Sequence, residues 1–293
     1  MTAMATGEVR TVVVDGIPMR WEEHGAGTPV VLVHGIPTGP RLWRDVIPKV
    51  DGARLLAWEM VGYAGSIPAG TDRDISVARQ AEYLVRWLDT LRIERAVFGG
   101  HDLGAGVVQI AAVRHPERCA GILITNGIGY DSWPIPSVKL LRALGPVVRR
   151  LPSWTVKSGV FRMLMSRGHD DGRIARESLA VHWKPYAAHG AGGALVRQIR
   201  ALDVNDTLAV APELPRLRGI PARVVWGDAD QFQKVEYGDR FARDLGTTLE
   251  RIEGGKHFTP EDHPDRIAAA LRALVSEVDA RRPPAIGAHM EAP

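Results

Sequence analysis

Apolar and polar positions alternate at the start of the chain and then give way to continuous apolar runs separated by stretches of helical period. VRTVVV (9–14) and PMRWEEH (18–24) read as strands, and the Gly-containing turn between them predicts an opening hairpin. VVLVH (30–34) is uninterrupted, as expected of a strand buried on both faces. Beyond it the pattern predicts a helix over 41–50, a strand over 54–59, a helix over 76–91, a strand over 96–100, a helix over 104–114 and a strand over 121–126. Ala78, Ala81, Leu84, Val85 and Leu88 share one face at helical spacing, which makes that helix a packed one.

The alternation stops at Gly127. Residues 128–215 hold helical stretches such as VKLLRALGPVV and FRMLM, prolines at 134, 136, 146, 152 and 185, and no strand pattern. Alternation resumes with ARVVWG (222–227), a helix over 235–245, TLERI (248–252) and a helix over 264–278. Strand and helix in alternation imply right-handed crossovers and a mostly parallel central sheet with flanking helices. The fold class is therefore α/β, with a core domain of residues 1–127 and 216–280 and a helical cap inserted at 128–215. The tail 281–293, RRPPAIGAHMEAP, is expected to be disordered.

Composition changes this picture little. Hydrophobic residues make up 45% and charged residues 24%, the balance of an ordinary globular protein, and no solenoid repeat is visible. Lys and Arg (37) nearly cancel Asp and Glu (34) and are interspersed, so a nucleic-acid partner is not expected. The clearest basic run, from Arg142 to Arg167, reads as a solvated helical face. No apolar run approaches the roughly 18 residues of a membrane span, and no membrane partner is expected. The first residues lack the apolar core of a signal peptide, and the single cysteine, Cys119, allows no internal disulfide. Both point to a cytoplasmic location, with Cys119 in CAGILIT as a core thiol.

Candidate chemistry lies where predicted strands end. In GGHDLGA (99–105) small residues flank Asp102 between a strand and a helix. A sharp turn there lifts the middle side chain above the sheet, a nucleophile elbow with Asp in place of Ser. A plain helix N-cap is the alternative role for that residue. HGIP (34–37) ends the early buried strand in a tight turn, where the backbone N–H of Ile36 can join that of Leu103 in an oxyanion hole. WGDAD (226–230) and GGKHF (254–258) follow late strands, giving the order nucleophile, acid, histidine: Asp102, Asp230, His257. Asp230 is preferred over Asp228, which reads as a turn-former.

These four motifs, in order and across residues 12–278, resemble the α/β-hydrolase superfamily and, within it, the epoxide hydrolase and haloalkane dehalogenase branch. The resemblance implies an ester between Asp102 and a saturated carbon, released by water that His257 deprotonates while Asp230 orients the imidazole. No metal or organic cofactor is implied. Epoxide hydrolases of this kind use cap tyrosines to receive the ring oxygen, and here Tyr186 and Tyr130 are the candidates, with Trp133, Trp183 and His182 as further pocket residues. Haloalkane dehalogenases typically carry Trp after the nucleophile and Asn after the HG pair; this chain has Leu103 and Ile36. Fluoroacetate dehalogenases usually carry arginines where Leu103 and Gly106 stand. Hydrolysis of an epoxide to a vicinal diol is thus the leading expectation, on a small, largely apolar substrate. Haloalkane or haloacid dehalogenation through an atypical halide site is the alternative, and a catalytically weak binding protein of the same fold is the third. A homodimer is left open.

Overall fold

The computed structural model describes residues 8–281, so the tail expected to be disordered lies outside the described residues except for Arg281. Eight strands form one sheet: β1 (Glu8–Val14), β2 (Ile17–His24), β3 (Thr28–Val33), β4 (Ala53–Glu59), β5 (Ala96–Asp102), β6 (Cys119–Gly127), β7 (Ala222–Gly227) and β8 (Leu249–Ile252). Their order is β1-β2-β4-β3-β5-β6-β7-β8. Only the pairings of β1 with β2 and of β2 with β4 are antiparallel; the others are parallel, as continuous apolar runs buried on two faces require.

Helices α1 (Val77–Thr90) and α2 (Leu103–Arg114) complete the first half. Among the described residues, only helices and turns lie between β6 and β7: α3 (Pro136–Ala143), α4 (Gly145–Val148), α5 (Ser153–Val156), α6 (Arg162–Gly168), α7 (Gly172–Ala188), α8 (Ala191–Arg200) and α9 (Asn205–Leu208). The second half adds α10 (Val235–Leu245), α11 (Thr259–Asp262) and α12 (Pro264–Ala280). The helix expected over 41–50 is instead two short 3₁₀ turns, Pro40–Trp43 and Ile47–Lys49. Pro40 and Pro48 have no N–H to continue a ladder. The apolar set Leu42, Trp43, Val46 and Ile47 is still buried, so the periodicity marked a packed face without marking a continuous helix.

Strand β5 runs two residues beyond its expected end, and α2 starts at the next residue. No loop separates them, so α2 must cross close over the strands. A Cβ on Gly104 would stand 2.1 Å from the Val33 carbonyl oxygen, and one on Gly100 would stand 2.6 Å from the Ala105 backbone. The small residues on both sides of Asp102 are therefore demanded by packing.

A buried charge cluster ties the inserted helices to the core. Glu261 of α11 accepts hydrogen bonds from Ser178 Oγ (2.7 Å) and His182 Nε2 (3.1 Å), both on α7, and pairs with Arg44. His169, between α6 and α7, places Nε2 3.3 Å from the same carboxylate and bonds Asp262 through Nδ1 at 3.0 Å. Burial opposes the charges of Arg44, His169 and Glu261, and mutual pairing makes their ionised forms tolerable. Burial opposes the His169 cation, yet Asp262 and Glu261 prevail and push its pKa up to about 9. Burial likewise opposes the Glu261 anion, and His182, His169 and Arg44 hold it well below the usual carboxylate range.

A histidine whose folded pKa lies above its unfolded value of about 6.5 contributes stability that is complete below the unfolded value and lost as pH rises through the folded one. The urea midpoint should therefore fall between about pH 7 and about pH 10, and fall less in His169→Gln. An equal slope in the two proteins would show that His169 does not carry the effect.

Candidate active site

The carboxyl ends of β3, β5, β6, β7 and β8 deliver the candidate residues to one edge of the sheet. Asp102 has φ +50° and ψ −120°, a backbone conformation that L residues rarely adopt. It occupies the N-cap position of α2, but its side chain makes no capping bond to the helix interior. Its carboxylate instead accepts the Ile36 N–H at Oδ2 (2.9 Å) and the N–H of Leu103. The turn that presents Ile36 contains a cis Ile36–Pro37 bond. Gly35 leaves room for the carboxylate, since a Cβ there would lie 2.3 Å from Oδ2. Burial raises the Asp102 pKa, while His257 and the two N–H groups favour its ionised form.

His257 sits past β8, and its Nδ1 is 2.8 Å from Asp230 Oδ2. Nδ1 therefore carries a proton toward the carboxylate, which leaves Nε2 for the cavity. Asp230 is itself fixed: Asn126 Nδ2 donates to its Oδ2 (2.8 Å) and the Phe232 N–H donates to its Oδ1 (2.7 Å). Asn126 is held in turn by Gly227 N–H (3.0 Å) and Thr259 Oγ1 (3.1 Å), both donating to its Oδ1. Burial opposes the imidazolium, but the carboxylates of Asp230 and Asp102 outweigh it and raise the His257 pKa. The His257 main chain is pinned as well, its N–H donating to the Gly168 carbonyl and its carbonyl accepting from His101 Nε2, both at 2.9 Å. Asp228 accepts the Gly254 N–H (2.8 Å), a bond between two loops and not the local turn expected of it. Cys119 is buried in the core, its thiol pushed up to about 12 chiefly by burial.

Asp102 and His257 open into a cavity of about 70 Å³ whose walls are almost wholly apolar. Ile36 and Leu103 border them from the sheet side, and Trp133, Val138, Leu141, Leu195 and Ile199 close the cavity from the inserted helices. Tyr186 and Tyr130 do not reach it. The Tyr186 hydroxyl donates to Gln198 Oε1 (2.7 Å), and that of Tyr130 donates to Asp244 Oδ2 (2.9 Å) beneath the Arg240 guanidinium. Buried phenols need a partner, and these two find theirs in packing. Trp183 is also off the wall, edge-on to Phe161 at 5.0 Å, and His182 is committed to Glu261. Trp133 does line the cavity, but its N–H donates to Thr207 Oγ1 (2.7 Å). Asp131 is exposed and accepts from the Tyr237 hydroxyl, away from His257.

Three residues that the sequence did not single out belong to the site. Asn126 secures Asp230, and His101 secures His257. Gln233 lines the cavity, is buried, and has no hydrogen-bond partner for its Oε1 among the described residues. His101 lay inside a quoted motif and was visible; Asn126 and Gln233 acquire meaning only from contacts across the sheet.

Comparison with known proteins agrees with this architecture. Residues 28–156 match the family described as alpha/beta hydrolase fold. The chain is 30% identical over 267 residues to haloalkane dehalogenase 2 of Mycobacterium tuberculosis, covering 86% of this chain and 90% of that one. It is 25% identical over 276 residues to the uncharacterized hydrolase YugF of Bacillus subtilis, covering 92% and 99%. Among solved structures, an alpha/beta hydrolase fold protein from Burkholderia ambifaria superposes with a TM-score of 0.78 at 23% identity, over 92% of this chain and 98% of that one.

The electrostatics of the site can be checked without a substrate. The His257 imidazole should titrate above the ordinary histidine value in NMR, and Asp230→Asn should lower its pKa more than Asp102→Asn does. A His257 pKa unmoved by Asp230→Asn would mean that the two side chains are not coupled.

Proposed function

Since this chain belongs to the α/β-hydrolase family, we propose that it acts through an ester formed on Asp102 and that its substrate is an apolar epoxide, hydrolysed to a vicinal diol. The observation that carries the reading is the asymmetry of the Asp102 carboxylate beside His257: Oδ2 is held by the Ile36 N–H at 2.9 Å, which leaves Oδ1 as the attacking oxygen. An ionised carboxylate needs no base to displace a leaving group at a saturated carbon, unlike a serine.

The opened ring needs a proton. Of the side chains on the cavity wall, His257 can transfer one, and Gln233 can donate a hydrogen bond to the same oxygen. The C–O bond of the epoxide breaks as Asp102 Oδ1 bonds carbon, and the ring oxygen takes the proton of the His257 imidazolium. His257, now neutral, removes a proton from water as the water oxygen adds to the ester carbonyl. The resulting oxyanion is on Oδ2, which already accepts the Ile36 N–H, and the Leu103 N–H adjoins the same carboxyl group. Collapse returns the carboxylate, moves the acid proton to the departing alkoxide and leaves His257 protonated for the next cycle. Asp230 accepts the Nδ1 proton throughout and holds the ring in place.

Dehalogenation is the second reading, favoured by the Mycobacterium tuberculosis relative's name. A halide leaves without a proton but needs a cradle of N–H donors. The cavity's one indole has committed its N–H to Thr207, which argues for the epoxide.

Intact-mass measurement of the unaltered protein, acid-quenched within a single turnover of epoxides or haloalkanes, separates the two, because replacing His257 would remove the proton donor to the ring oxygen as well as the base for water. An epoxide adduct adds the whole substrate mass to Asp102; a haloalkane adduct adds the substrate less the hydrogen halide. Asp102→Asn should form neither and lose turnover by about 10⁴-fold or more. Epoxide opening should also slow as pH rises through the raised His257 pKa, whereas haloalkane hydrolysis should speed up there. An adduct on any residue but Asp102, or none with either panel, would remove the proposal.

A further inference from the structure

The outer surface of the inserted helices has a composition that neither the cavity nor the core explains. Residues 132–168 contain seven Lys and Arg and no Asp or Glu. Lys139, Arg149, Arg150, Arg162 and Arg167 are exposed, and no carboxylate pairs with any of them among the described residues. Large apolar side chains stand out in the same segment: Leu140 is 60% exposed, Leu144 47%, Val147 57% and Trp154 71%.

Leu140 on α3, Leu144 at the break between the helices and Val147 on α4 form an exposed apolar stripe at i, i+4 and i+7 in the chain. Such a stripe ordinarily faces a core, and here it faces outward. The opposite face of α3 is already used, because Val138 and Leu141 line the cavity. The two sides of one helix thus meet the cavity on one hand and the exterior on the other.

We propose that this face docks on the surface of an anionic bilayer, with the stripe and Trp154 entering the headgroup boundary and the exposed cations facing lipid phosphates. An amphipathic surface that combines apolar side chains, an aromatic and unpaired cations has the makeup of an interfacial membrane binder. Charge selects this occupant over a second copy of the chain, since two such faces would repel. Among the described residues no helix is long and apolar enough to cross a membrane, so contact is with the surface. No membrane partner was expected from the chain alone, because only the fold shows that these cations and apolar side chains of one segment are left exposed. Docking would set the cavity roof against the phase in which apolar substrates concentrate.

Flotation of the intact protein with phosphatidylcholine vesicles, with or without about one third phosphatidylglycerol, tests the idea independently of turnover. Binding to the anionic vesicles should be at least about tenfold stronger and should weaken with added salt. The variant Leu140→Gln/Leu144→Gln/Trp154→Gln should lose about tenfold or more, and Lys139→Gln/Arg149→Gln/Arg150→Gln should lose the preference for anionic lipid. Near-ultraviolet circular dichroism verifies folding, and if the apolar variant does not fold the charge variant decides. Absence of flotation, equal binding to both vesicles, unchanged binding of the folded variants, or a lipid-free dimer abolished by the apolar variant would each overturn the proposal.

Discussion

The carboxylate of Asp102 sits where charge is expensive, and the polar groups nearest to it favour its ionised form while burial opposes it. It is buried at the top of a parallel sheet, its backbone is in a conformation that costs energy, and burial alone would neutralise it. Two backbone N–H groups and the His257 imidazole supply the compensation. Both N–H groups come from strand ends that pairing has already placed side by side, β3 next to β5. The glycines at 35, 100 and 104 are the steric condition for that arrangement, since a Cβ would collide with the carboxylate at Gly35, with the strand-to-helix turn at Gly100 and with the end of β3 at Gly104.

Two networks of histidine and carboxylate lie close together in this protein. His257 with Asp230 faces the cavity, and His169 and His182 with Glu261 and Asp262 join the inserted helices to the core. Phe258 packs between them, with its ring 4.5 Å from the His169 ring and 5.0 Å from that of His257. Phe258 follows His257 directly in the chain, and the two networks still feel each other, since His169 opposes protonation of His257. Anything that loosens the second network is felt where the cavity closes, because its histidines lie on and beside α7 while Gly168, just before His169, holds the His257 N–H.

The cavity itself is selective through scarcity. Among the described residues no phenol reaches it and its indole N–H is bonded to Thr207, which leaves Asp102, His257 and Gln233 as the other polar side chains on its wall. A substrate with many polar groups would lose its hydration without replacement.

The fold was legible in the sequence because period and turn chemistry are local: alternating segments, glycines about Asp102, and the place where alternation stops each reflect neighbours a few residues apart. Asp102, Asp230 and His257 were legible for the same reason, as each follows a strand end with a characteristic turn. The tyrosines were not. Tyr130 and Tyr186 have the right chemistry for a leaving group, but a hydroxyl bonds whatever the tertiary structure sets beside it, and that was Asp244 and Gln198. Asn126 and Gln233 were missed for the converse reason, since their roles depend on partners about a hundred residues away or on a wall built from both halves of the chain. The same limit applies to the outer face of α3 and α4. Residue order determined its charge and its helical spacing, and only folding decided which side of the helix would meet the cavity and which would be left bare.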